Sequence, residues 1–334
     1  MYEFLGITLV LAMLLTVNAL ATAAAAGLWR VFRGPLGLCT ARTRAEILFV
    51  MRIGPPVISL IWIAAFIIPS WLIFEPYSTT EFVSLKLGII ATISAVGVGC
   101  AIWRVVRSWR ATRKLLSTWM ANSKPIELEG VNVPTFLLQH SFPIIAVVGT
   151  FRPRLFIAEH VLQSLSEEEL AASIAHEYGH MAAHDNLKRS LLRASRAGLL
   201  MFPCGRSLDR AWGEAAEAAA DEHAAQESSA VALNLASALV RIARMIPSED
   251  RQVMPSSAFL VGGEETRGVK ARVRRLVELA SFDPSMLRTS APVFRFLPWL
   301  FLMVVVVVGV TIESRPQVLA GVHSFIEHVV AFVS

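Results

Sequence analysis

The run His176-Glu177-Tyr178-Gly179-His180 sets two imidazoles four residues apart with a carboxylate between them. On a helix, that spacing stacks the histidines one turn apart on one face, where both can reach a single tetrahedral zinc ion. The intervening glutamate then lies within reach of a water activated there. The chemistry indicated is hydrolysis, with His176 and His180 as candidate ligands and Glu177 as candidate general base. From Leu208 onward an alanine-rich stretch carries Glu214, Glu217 and Asp221, the last two one turn apart. One carboxylate from this stretch would complete a His-His-Glu donor set and leave a fourth position for water. Taken alone, the same stretch reads equally as a solvated acidic helix face.

The elements that must position these groups carry their own signals. Ser166 precedes Glu169 by three residues, a capping box, and Leu165 and Leu170 are spaced as a hydrophobic staple, so a helix starts about ten residues before the motif. Ile174, Ala175, Tyr178 and Ala182 give it apolar positions beside a polar stripe of Ser173, His176, Glu177, His180 and His184. His184 continues the stripe and is a candidate transition-state donor, although the glycine turn and longer spacing of a third histidine ligand are missing; His223, close to Asp221, is a candidate cleft residue.

Upstream, residues 125–157 are short, β-rich runs broken by Pro125, Pro134, Pro143, Gly149 and Pro153, which predicts a small sheet. An exposed edge of that sheet would suit an extended peptide. Downstream, residues 187–202 alternate leucines with Lys188, Arg189, Arg193 and Arg196, a basic amphipathic helix expected against the membrane surface. Residues 231–246 read as another amphipathic helix, residues 247–268 as a loop open to self-cleavage or regulation, and residues 272–280 as helix again.

Composition fixes the surroundings. Of 334 residues, 54% are hydrophobic and only 17% charged, with mean hydropathy +0.56, which excludes an ordinary soluble domain. Spans are predicted at about 4–28, 55–74, 82–103 and 291–312, each long enough for a hydrocarbon core of about 30 Å. The first is preceded by Glu3 and no Lys or Arg, which favours a retained span over a cleaved signal peptide. Basic loops follow the first and third spans, while Glu75 and Glu81 lie between the second and third, so the N-terminus is expected outside and residues 104–290 in the cytoplasm. Residues 313–334 are then a short outer tail. Cys39, Cys100 and Cys204 are far apart and indicate neither a disulfide framework nor a cysteine metal site. The net charge of +5 comes largely from arginines beside the spans, which points to anionic lipid contact and not to nucleic acid.

Taken together, Gly149 to Pro153, Leu165 to Leu170, His176 to His180 with Asp185 following, Glu217 to Asp221 and Arg272 to Leu276 resemble, in order and spacing, the antirepressor (BlaR/MecR-type) membrane metallopeptidases. The resemblance implies a mainly α membrane protein with four transmembrane helices and a cytoplasmic α+β gluzincin-type zinc peptidase domain between the third and fourth, in a bacterial inner membrane. It assigns one Zn2+ per chain to His176, His180 and Glu217, the base to Glu177, and supporting roles to Asp221 and Asp185. It also implies a protein or peptide substrate, such as a cytoplasmic repressor or membrane-associated regulator. Only about twenty residues follow the last span, so the penicillin-binding sensor of that family is not expected here, and a signal would enter through a partner protein, the bilayer or the tail. The rival readings are an HtpX-type quality-control protease and a non-catalytic zinc-binding scaffold.

Overall fold

A computed structural model describes residues 2–76, 83–149, 152–195, 205–246, 265–281 and 315–333, with shorter stretches between 296 and 311. The chain is mainly helical with one small sheet. Among the described residues, three helices are long and apolar enough to cross a membrane: α1 (Tyr2–Phe32), α2 (Ala41–Phe74) and α3 (Leu85–Ala121). α2 starts fourteen residues before the apolar run that predicts it, because Thr40 accepts from the Thr43 N–H and caps a charged segment containing Arg42, Glu46 and Arg52. Those charges are bonded to the catalytic half of the chain, so a hydropathy window does not register the segment as part of the same helix. α3 extends the third span without a break, and its 37 residues give about 55 Å of helix, well beyond a hydrocarbon core.

The sheet has the order β1-β2-β4-β3, with β1 (Ser123–Ile126), β2 (Thr135–Leu138), β3 (Ile145–Val148) and β4 (Arg154–Ala158). β2 and β4 pair in parallel and the other pairs are antiparallel, which leaves β3 at one edge. The turn from β3 to β4 begins at Gly149, whose φ of +112° suits glycine and where a Cβ would meet the Arg152 carbonyl oxygen at 2.5 Å.

Helices follow: α4 (Glu159–Ser164), α5 (Glu167–Ala182), α6 (Asp185–Ser195), α7 (Gly205–Ala225), α8 (Ser229–Met245) and α9 (Glu265–Ala280). The capping box at Ser166 and Glu169 starts α5. A core of Leu155, Phe156, Ile157, Val161, Ile174, Leu235 and Leu239 joins sheet, α4, α5 and α8. The loop expected at 247–268 falls mostly outside the described residues, and its last four residues open α9.

The fourth span expected at about 291–312 also lies partly outside them. Its described residues are helical and run beside α2, with the Trp299 ring 5.8 Å from Phe49 and Gly309 against Phe66. The segment expected as a short outer tail forms a helix, α10 (Pro316–Val333), whose Leu319 and Ile326 are buried against α2 and its neighbours. Its apolar positions recur at helical spacing, which gives it a face to bury.

Candidate active site

α5 carries His176 and His180 on one face, with His176 fully buried, and the two rings stand edge to face with centroids 4.8 Å apart. Opposite them, α7 presents Glu217. His176 Nε2 lies 3.7 Å from Glu217 Oε2, and His180 Nε2 lies 3.6 Å from Glu217 Oε1. Ligand atoms about 2.1 Å from a tetrahedral zinc stand roughly 3.4 Å from each other, so the two nitrogens and the carboxylate are spaced to share one ion. The other ring nitrogens are held in place: His176 Nδ1 lies 3.0 Å from Asp221 Oδ1, and His180 Nδ1 lies 2.7 Å from Asp185 Oδ2. A carboxylate behind a ligand histidine fixes its tautomer and turns Nε2 toward the metal. Glu217 Oε2 is buried, accepts no hydrogen bond and has Arg272 Nη1 3.1 Å away as an ion pair, so it sits where positive charge is gathered. The donor set therefore fits zinc.

Gly179 explains how α7 comes so close. A Cβ there would stand 2.9 Å from the Ala220 Cα and 3.1 Å from the His223 Cβ, so only glycine permits this helix crossing. Buried Ala215, Ala216, Ala219, Ala220 and Ala224 keep α7 slim along its length. The alanine-rich composition is thus a packing surface on which the acidic residues are mounted.

Glu177 is buried and accepts a 3.0 Å hydrogen bond from the Val147 N–H at the outer edge of β3. The Val147 carbonyl accepts from Asn186 Nδ2 at 3.0 Å, and the same amide reaches the Gly149 carbonyl. The edge strand, the base and the first turn of α6 are therefore tied together.

Two cations reach the centre that were expected elsewhere or given no role. Arg189, expected at a membrane surface, turns inward to donate to Glu217 Oε1 at 3.0 Å. Its neighbour Lys188 is buried against Glu46 of α2. Arg272, from α9, clasps Asp221 through Nε and Nη2, places Nη1 3.1 Å from Glu217 Oε2 and lies 3.4 Å from the His176 ring nitrogens. Its place in the Arg272-Val273-Arg274-Arg275-Leu276 run was the one signal available in the sequence. Of the two further candidate histidines, His184 is exposed at the α5–α6 corner with φ +55°, and His223 packs its Cβ by Gly179; neither joins the cluster.

The electrostatics follow from these contacts. Burial works against a charged His180, but the Glu217 and Asp185 carboxylates outweigh it and push the imidazole up to about 10. Burial likewise opposes ionisation of Glu217 and Asp221. His180, Arg272 and Arg189 nevertheless hold Glu217 well below the usual carboxylate range, and Arg272 with His176 holds Asp221 at about 2. The centre is a compact network of fixed anions and the cations they attract.

Residues 146–288, from within β3 to just past α9, match the family model described as Peptidase family M48. No curated protein matches the chain. The family match and the His176–His180–Glu217 cluster support a zinc-dependent metallopeptidase. They extend to the zinc-peptidase character of the resemblance drawn from the motifs, and not to its antirepressor type.

Proposed function

We propose, from the M48 match over residues 146–288, that the chain is a membrane-embedded zinc endopeptidase that cuts a small set of regulatory protein substrates. The observation that carries this reading is the convergence of both histidine Nε2 atoms on Glu217, with Glu177 beside them at the sheet edge. Zinc held by His176, His180 and Glu217 would polarise the scissile carbonyl and activate water as a nucleophile. Glu177 accepts the proton that water loses as the new C–O bond forms, and returns it to the amine nitrogen as the C–N bond breaks. Asp185 and Asp221 keep the imidazoles aimed. At the outer edge of β3 the Val147 N–H and carbonyl are already bonded to Glu177 and Asn186, so an extended substrate pairs there only by displacing them.

The charge pattern around the spans supports a cytoplasmic peptidase domain and an outer N-terminus, with the fourth span near residues 291–312. A regulatory role is favoured by α6. It joins Glu217 through Arg189, His180 through Asp185 and the α2 span through Lys188, so the membrane helices and the metal ligands share one short element. A separate sensor protein acting on those helices is the partner this implies.

The test is a comparison of new protein N-termini in producing cells carrying wild type or Glu177→Gln. We expect one or a few cut sites that vanish in the variant, with turnover down by two to four orders of magnitude, roughly the worth of a general base, and zinc retained. Many unrelated sites would indicate quality-control proteolysis. Identical N-termini in both cells would indicate a non-catalytic scaffold.

A further inference from the structure

Arg154 opens β4 and pairs with Val148, the residue after the Val147 whose N–H holds Glu177. Alternate residues of a strand share a face, and the Trp119 ring of α3 meets the Phe156 ring at 5.3 Å, so Arg154 faces α3 as well. Between strand and helix lies an open groove of about 530 Å³, lined by Arg113, Lys114, Leu116, Ser117, Met120 and Arg154. Three cations converge there, and among the described residues none of the three is paired with a carboxylate. The Arg113 guanidinium carbon stands 3.9 Å from the centre of the Trp109 ring. Such stacking engages the face of a guanidinium and leaves its edge N–H groups to hold a carboxylate in a bidentate fork. Leu116 and Met120, one turn apart, form a half-buried apolar floor.

We propose that this groove docks an acidic segment of the protein substrate, with carboxylates at Arg113, Lys114 and Arg154 and an apolar side chain on Leu116 and Met120. The proposal rests on the peptidase reading and adds to it a determinant of which proteins are cut. Charge selects the occupant, since the polar lining offers three cations, one hydroxyl and no carboxylate. The flexible thioether of Met120 accommodates apolar side chains of different shapes. Position excludes a bilayer lipid: Arg113 lies ten residues, about 15 Å of helix, past residue 103, where the third span is expected to end. Position also suits a substrate. Paired Cα atoms are about 5 Å apart and each residue along a strand adds about 3.3 Å, so the Arg154 backbone lies roughly 6 Å from that of Val147. With the reach of the arginine and of Glu177 added, about three to six extended residues separate the acidic group from the scissile bond.

The full-length Glu177→Gln protein in neutral detergent, which leaves a peptide uncut, is titrated at low salt into a decapeptide of Glu and Ser with one central Leu, carrying an uncharged fluorophore. The counterpart with Gln in place of every Glu is titrated in parallel, with fluorescence anisotropy as the readout. The Glu peptide is expected to bind about tenfold more tightly, as three exposed ion pairs of about twofold each would give. Arg113→Gln/Arg154→Gln should lower that preference to about twofold; Lys114→Gln, at an exposed helical position, should lower it to about fivefold and serves if the double variant does not fold. Arg104→Gln, exposed on the same helix but outside the groove, should leave it unchanged. Equal affinity for the two peptides, an undiminished preference in the groove variants, or an equal loss in Arg104→Gln would overturn the proposal. Each outcome is read without cleavage, so failure of the groove is distinct from failure of the peptidase reading, which the Glu177-dependent cut sites test.

Discussion

His180 shows how one residue's surroundings set the behaviour of the whole centre. Its folded pKa of about 10 lies above its ordinary value, so the protonated ring stabilises the fold fully below about pH 6.5, and that contribution is lost as pH rises toward 10. Zinc must displace this proton. Zinc affinity is therefore expected to rise with pH, by up to about tenfold per unit between pH 6 and 8, while Glu217 stays ionised and adds nothing to the slope. Titration against a competing chelator at several pH values checks it, and a flat profile would mean that His180 is not a ligand. The histidines and Glu177 were legible in the sequence because their relation is local, one turn of one helix. Arg272, Asn186 and Arg189 were not, since each meets its partner across a long stretch of chain that no periodicity encodes.

At the level of elements, the crossing of α5 and α7 decides whether Glu217 reaches the histidines. Gly179→Ala would drive a methyl into the Ala220 backbone. We expect a loss of about 1–3 kcal/mol from overpacking, measurable by denaturant unfolding, and a weaker zinc site because α7 must retreat. Normal stability together with normal zinc content would contradict the close-approach account. β2, β3 and β4 were readable from their β-rich composition and proline punctuation, whereas β1 (Ser123–Ile126) starts before residue 125, the expected start of the sheet, and contains Pro125. The order β1-β2-β4-β3 was not, because it depends on the parallel pairing of β2 with β4, which local composition does not record.

Across the whole molecule, buried ion pairs join α2, a candidate span, to the segment that carries the histidines and Glu217: Glu46 with Lys188, and Arg52 with Asp209. Hydropathy gave the apolar centres of the spans but could not give these links, since charged residues at the head of α2 look like loop until their partners are known. Removing one partner strands a buried charge, so Glu46→Gln and Lys188→Met should each destabilise by about 3–5 kcal/mol, while the double variant costs less than their sum. A cycle of unfolding measurements with additive effects would show that the pair does not couple α2 to that segment. The central claim is that His176, His180 and Glu217 form one zinc site with Glu177 as its base, and zinc content per chain tests it most directly. The account predicts one zinc in wild type and in Glu177→Gln, and none in a folded Glu217→Ala variant after dialysis against a mild chelator; full zinc retention by Glu217→Ala, or a wild-type chain that takes up none, would contradict it.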